Sequence, residues 1–559
     1  MALRPLHLPS LASALLLSCL ALAASEEEEL NTSGGALLDE QACFDVIHYD
    51  LAIEVMPDTR SIKGTLTMTA DAVSAAREIA LHLDQRLHVI QVNAGGDTSL
   101  ERVPAVHEDG MIHVDTSAHT AEPGARFRVQ VVYEGVPLEA PRPPWEGGFT
   151  WARTKDGSPW IATSCQGEGA DLWWPCKDHP SDKPESFDLH VTVPAGLVCA
   201  TNGRRLSSET AGGLTTSHWR VTTPIANYTV ALNIAPYLEI SRTVKSVAGD
   251  EYPVIFWALP ENEEKARAFM DEIVEHLAFF EEFCGPYPFR GDKYGVVETP
   301  HLGMEHQSII AYGNKYKGDP NFDYDWLHHH ELAHEWWANL VTCSDWADFW
   351  IHEGIGTYMQ PLYLERKFGR EAYDKKMRLD LLRVLNRGPV APSGPRTTDS
   401  IYFSQEGDDA PGIDIYMKGS WICHSLRWLL GDETFFQVLR RWAYPDPALE
   451  KTTDGSAVRF SDTDEIQAIA ERVSEVDLDW FFQAYLRTAA LPELVHSTKD
   501  GVLTMEWRAP GGGTFPMPVE IEVGGELRRV EMPEGRAAVE VGDAKVRVDP
   551  NRRVLKDRG

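Results

Sequence analysis

His330-Glu331-Leu332-Ala333-His334, followed after 18 intervening residues by Glu353, is the stretch on which the reading of this chain turns. Residues four apart lie on one face of an α-helix, so His330 and His334 can offer two imidazoles to one metal ion. Glu331, one residue on, can reach a water on that ion without being a ligand itself. The interval before Glu353 is long enough for the helix to end, turn and return as a second helix carrying a third ligand. Three protein ligands leave the fourth position of a tetrahedral Zn2+ open, which marks a catalytic site rather than a structural one. Chance is a weak rival. In a random chain of this composition the bare His-Glu-x-x-His pattern is expected roughly 0.07 times, and below about 0.01 times once Glu is required at the right offset. His328, His329 and His352 fall off the ligand face and are expected to be surface groups or supports behind the ligands.

Outward from the motif, the pattern is helical from about residue 261 to 487. Phe269, Ile273, Leu277 and Phe280 recur at helical spacing until Gly285-Pro286 stops them. Strand-like intervals at 294–298 and around 301–310 interrupt this half. Pro361, inside the helix expected after Glu353, predicts a kink or a break. Residues 43–239 read instead as strands: Phe187, Leu189, Val191 and Val193 alternate with polar residues, and similar runs occur at 51–55, 66–70 and 127–133. The last 70 or so residues return to short strands at 502–507, 519–523, 537–541 and 546–548, a small β-sandwich. The expected architecture is multidomain α+β. It comprises an N-terminal antiparallel β domain (41–240), a mainly helical catalytic domain (241–490) and a small C-terminal β-sandwich (491–559).

With 559 residues the chain exceeds a single core, and its 43% hydrophobic and 25% charged composition is that of a globular protein. A formal charge of −33 with no basic cluster disfavours nucleic acid as a partner. Arg4, the apolar run 11–22 and Ala21-Leu22-Ala23 read as an export signal over residues 1–23. An acidic, flexible leader is expected over 24–40. The protein is therefore expected to be exported, periplasmic or extracellular, with no transmembrane span. The alternative is a membrane-anchored lipoprotein lipidated at Cys19. Of eight Cys, seven follow the signal. Cys165 and Cys176 could pair, but ordinary buried thiols are expected.

Upstream of the metal motif, Leu302-Gly303-Met304-Glu305-His306 lies in a stretch that reads as an edge strand. Such an edge can pair with an extended peptide, and a carboxylate there could take the free amino group of its first residue. At this point the chain resembles the gluzincin M1 family of zinc aminopeptidases, the group of aminopeptidase N and leukotriene-A hydrolase. The family's zinc signature is matched by His330, Glu331, His334 and Glu353. Its Gly-x-Met-Glu-Asn motif is matched by residues 302–306, with Leu302 in place of Gly and His306 in place of Asn. Tyr416-Met417-Lys418-Gly419 matches a Tyr-x-Lys-Gly segment, and Gln166 stands nine residues before Pro175-Cys176-Lys177-Asp178.

The resemblance, which spans roughly residues 43–491, implies a thermolysin-like catalytic domain and one Zn2+ per chain. It implies peptide substrates with a free N-terminus, Glu331 as general base and Tyr416 as the group that stabilises the oxyanion. Glu305 is then the amine anchor, with Gln166, Gly303 and Met304 lining the substrate site. A thermolysin-like endopeptidase, which would not need Glu305, and a zinc-free binding module on the same fold are the rivals. Epoxide hydrolysis is disfavoured, since no second tyrosine lies between Tyr402 and Tyr416.

Overall fold

The computed structural model describes residues 32–96, 99–119, 122–403 and 409–557. The expected signal, Cys19 and the leader up to residue 31 lie outside them. Among the described residues no helix is long and apolar enough to cross a membrane.

The N-terminal half is built on the two-residue period of its strands. Along Phe44–Met56, Tyr49, Leu51, Ile53 and Val55 turn inward while Asp50, Ala52 and Glu54 turn out. This strand is central in an eight-stranded sheet, antiparallel to Ser61–Ala72 on one side and parallel to Ser186–Pro194 on the other. All other pairings in that sheet are antiparallel. The single parallel pair is accommodated because well over a hundred residues separate its strands, ample for a crossover. A four-stranded sheet that includes Gly148–Arg153 and Pro159–Ser164 shares a core with it, in which Trp173 and Trp174 are fully buried. The strand Pro159–Ser164 delivers the chain to the turn that carries Gln166.

From Leu238 onward the chain builds a five-stranded sheet. Its last three strands in spatial order are Tyr294–Glu298, Ile310–Tyr312 and, at the edge, Gly303–Met304. The edge position expected for the 302–306 stretch is the one observed. Helix Glu263–Cys284 packs Phe269, Met270, Ile273, Leu277 and Phe280 into the core. Helix Trp350–Phe368 runs on through Pro361, so the break that Pro361 predicted does not occur. Its flanks Tyr358, Met359, Leu362 and Tyr363 are all buried, and that packing offsets a ring that costs about 3 kcal/mol in an exposed helix.

At the C-terminus lie two three-stranded antiparallel sheets, one on Val502–Arg508 and one on Val519–Val523. Their apolar faces, with Trp507, Phe515 and Ile521, are continuous with the helical core. The chain end returns to helix Asp414–Leu430, where Leu555 N donates to Ser425 Oγ at 2.9 Å. All seven described cysteines are buried free thiols.

Residues 32–40, the described part of the leader expected over 24–40, lie against the body of the protein, and the last two of them begin the short helix Asp39–Ala42. Ser33 N donates to Gly167 O and Gly35 N to Arg396 O, at 3.1 and 3.0 Å.

Candidate active site

Helix Trp326–Ala333 is capped by Asp325, whose carboxylate accepts from His328 N, and it ends just before His334. His334 keeps right-handed helical angles, so the four-residue spacing still brings its ring beside that of His330. Their Nε2 atoms stand 3.3 Å apart, and each is 3.5 Å from Glu353 Oε2. A tetrahedral Zn2+ with bonds of about 2.05 Å needs ligand atoms about 3.3 Å apart, so the three atoms already form one face of such a polyhedron. Two further observations fit a metal. Glu353 Oε2 is buried and, among the described residues, lacks a hydrogen-bond donor, and His334 Nδ1–H donates to Trp337 O at 3.0 Å, which leaves its Nε2 lone pair free. Burial, with the Lys376 charge adding, pushes His330 down to about 4, so at neutral pH it is in the neutral form that can bind a metal.

Glu331 faces the edge strand. A Cβ on Gly303 would lie 2.5 Å from Glu331 Oε1 and 2.7 Å from Leu327 Cδ1, so a larger residue there would push the carboxylate aside. Ligand atoms of Glu305, Glu331 and His334 lie within 4.8 Å of one another. Burial pushes all three carboxylates, Glu305, Glu331 and Glu353, upward; neighbouring carboxylates raise Glu331 further. A divalent ion and an ammonium group would offset that crowding. Glu305 is held from the N-terminal half of the chain: Gln166 Nε2 and the Tyr228 hydroxyl, the latter at 3.1 Å, both donate to its Oε1. Met304 is buried beside it on the edge strand.

Tyr416 reaches the site because helices Trp350–Phe368 and Asp414–Leu430 cross with their backbones in contact at Gly354 and Gly419. A Cβ on Gly354 would meet Gly419 Cα at 2.9 Å. That crossing brings Glu353, which precedes Gly354, to Tyr416, three residues before Gly419. Lys418 of the same segment is buried and donates to Asn386 Oδ1 and Ala489 O, a fastening for the helix.

Every site residue expected from the sequence is thus gathered around one point: His330, Glu331, His334, Glu353, Glu305, Gly303, Met304, Gln166 and Tyr416. Two others were missed, Tyr228 and Tyr402. The Tyr402 hydroxyl is 3.0 Å from that of Tyr416 and 3.3 Å from Gln166 Oε1. Neither has a spacing signal, since one sits in the short turn Asn227–Thr229 and the other closes the five-residue helix Thr398–Tyr402. His328, His329 and His352 are all fully buried, which excludes the surface alternative. His328 bridges the Tyr294 hydroxyl and His276, and His352 Nε2 accepts from Cys343 N. The motif helix is enclosed on nearly all sides, so its off-face positions are core as well.

The sequence is similar to known proteins over most of its length. Residues 46–229 match the peptidase M1 N-terminal domain and residues 270–485 the peptidase family M1 domain. Endoplasmic reticulum aminopeptidase 1 of Homo sapiens is 26% identical over 74% of this chain and 45% of its own length. Leucine aminopeptidase 2 of Emericella nidulans is 27% identical over 65% of this chain and 59% of its own length. The chain therefore spans less than half of the endoplasmic reticulum enzyme. The M1 zinc metallopeptidase of Deinococcus radiodurans superposes with a TM-score of 0.63 at 24% identity, covering 80% of this chain and 95% of the other. Two domain matches in the family's order, on the fold that this structure shares, place the chain in peptidase family M1.

Proposed function

We propose that the protein is a zinc-dependent aminopeptidase that releases the N-terminal residue of peptides. His330, His334 and Glu353 hold the metal. When bound, Zn2+ supplies a Lewis acid that makes hydroxide available near neutral pH. Glu331 takes the proton from the attacking water and passes it to the leaving amine. The Tyr416 hydroxyl donates to the substrate carbonyl oxygen as it gains charge. Glu305, steadied by Gln166 and Tyr228, pairs with the α-ammonium and sets which bond lies over Glu331. The edge strand Gly303–Met304 pairs with the peptide backbone.

The observation that carries this reading is the placement of Glu305. A carboxylate held by two donors within 4.8 Å of both Glu331 and His334 leaves room for one residue between an anchored amine and the reacting carbonyl. We further propose that the protein is exported, on the strength of the N-terminal sequence, with lipidation at Cys19 as the alternative. Mass spectrometry of the mature N-terminus distinguishes the two, and retention of Met1 excludes both.

A panel of aminoacyl fluorogenic substrates, assayed with and without chelator, tests the activity. Hydrolysis abolished by chelator and restored by Zn2+ is expected. Equal cleavage of a free peptide and its N-acetylated form would assign the site to an endopeptidase instead.

A further inference from the structure

The hydroxyl of Tyr402 is where three parts of the site meet. It lies 3.0 Å from the Tyr416 hydroxyl, 3.3 Å from Gln166 Oε1 and 3.5 Å from Glu353 Oε1. We propose that Tyr402 is a positioning residue for the peptidase reaction: its hydroxyl, in contact with that of Tyr416, fixes where the Tyr416 oxygen stands for its bond to the substrate carbonyl. The inference rests on the aminopeptidase reading above.

A phenol has one hydrogen to give and two lone pairs with which to accept. Within the pair either hydroxyl can donate, and the one Tyr402 hydrogen also has Gln166 Oε1 and Glu353 Oε1 as acceptors. Once a substrate carbonyl takes the Tyr416 hydrogen, the Tyr416 oxygen can accept from Tyr402, and a donor behind a donor strengthens the outer bond by polarisation. The buried carboxylate of Glu353, already within hydrogen-bond reach of Tyr416, is a stronger acceptor than a carbonyl, and without Tyr402 nothing competes with it for the Tyr416 hydroxyl.

The surroundings hold Tyr402 in place from two directions. Its ring packs edge-on against Phe349 at 5.4 Å. Its helix, Thr398–Tyr402, is capped by Thr397 and tied by Gly412 N to Ile401 O at 2.9 Å, just ahead of the helix that bears Tyr416. On the other side the segment at 32–35 acts as a strap. Ser33 N donates to Gly167 O while Thr398 N donates to Ser33 O, both at 3.1 Å, and Thr398 Oγ1 also donates to Gly167 O. One short stretch of backbone thereby joins the turn of Gln166 to the helix of Tyr402. The two side chains come from opposite halves of the chain and yet meet at hydrogen-bond distance.

The test is a cycle of Tyr402→Phe, Tyr416→Phe and the double variant in the zinc-loaded protein, with a crystal structure of Tyr402→Phe. Tyr402→Phe is expected to lower kcat about three- to tenfold, the range for one lost hydrogen bond, with KM changed less than about twofold. In the Tyr416→Phe background the same substitution is expected to have no further effect on kcat. The crystal structure is expected to show the Tyr416 hydroxyl displaced or split between two positions. Thr398→Val, which loosens the helix without touching the ring, should lower kcat in the same direction and lose its effect beside Tyr416→Phe. Multiplicative losses in the double variants, or a Tyr416 that stays in place in Tyr402→Phe, overturn the proposal. Should the wild type fail to cleave peptides with a free N-terminus, the functional reading fails, and the position of Tyr416 in the variant crystal still decides this one.

Discussion

Gly354 and Gly419 touch backbone to backbone, one following Glu353 and the other three residues beyond Tyr416. A Cβ added to Gly419 would lie 2.7 Å from Gly354 Cα, too close for either helix to ignore. Gly419→Ala is therefore expected to push the helices apart, lowering stability by about 1–3 kcal/mol, the usual cost of overpacking. Activity should fall by more than the unfolded fraction explains, because Tyr416 retreats from Glu353. Urea unfolding and kcat, measured on the same preparation, check both halves.

Glu331 makes no metal bond in the proposed mechanism, so its loss should separate chemistry from metal binding. Glu331→Gln keeps the shape beside Gly303 and removes the base. A fall in kcat of about 10²–10⁴-fold is expected, with zinc content by atomic absorption still near one per chain. A variant that retains more than a tenth of wild-type kcat would remove Glu331 from its role.

The contrast between what could and could not be read from the sequence has a physical basis. His330, Glu331 and His334 are related by helical geometry, which is local, and Glu353 by an interval that allows one helix return. Tyr228 and Tyr402 join the site only through tertiary placement, from a three-residue turn and a five-residue helix too short for any periodicity to show. The same limit applies to the fold. Alternation in Phe44–Met56 announces a half-buried strand, but its parallel partner Ser186–Pro194 lies too far along the chain for local pattern to name. Pro361 shows tertiary enclosure overriding local preference, and the burial of His328, His329 and His352 decides between the surface and supporting positions that helix-face reasoning left open.

Tyr228 donates to Glu305 Oε1 from within the core, where it is 4% exposed. It touches the proposed amine anchor and not the proposed reacting groups, so Tyr228→Phe is expected to raise KM about three- to tenfold, the scale of one hydrogen bond, with kcat little changed. Glu305→Ala should go further. Loss of the carboxylate is expected to abolish most of the preference for a free over an N-acetylated peptide. Steady-state kinetics on the two peptides, run in parallel for wild type and both variants, give the comparison. A fall in kcat at constant KM in Tyr228→Phe would move Tyr228 to the chemical step.

Lys293 lies beneath the segment that carries Glu305 and is 2% exposed. Its Nζ donates to Thr201 O and Ser308 O, both at 2.9 Å, and sits over the rings of Trp219 and Trp257. Burial pushes it down from its ordinary 10.5 to about 7, against the opposing pull of Asp292, Glu335 and Glu239. Between those two values the unfolded chain binds a proton that the folded chain does not, so this group makes stability rise with pH across that window. Below about pH 7 both states are protonated and its contribution is flat. Lys293→Met removes the titration and leaves two buried carbonyls without their donor. Relative to this variant, the wild type is therefore expected to gain stability from pH 7 to pH 9, at up to about 1.4 kcal/mol per pH unit. Urea titrations of both proteins at the two pH values measure the difference. A gap that stays constant or narrows as pH rises would mean that Lys293 keeps its charge in the folded core, through closer pairing with Asp292 and Glu335 than burial allows for.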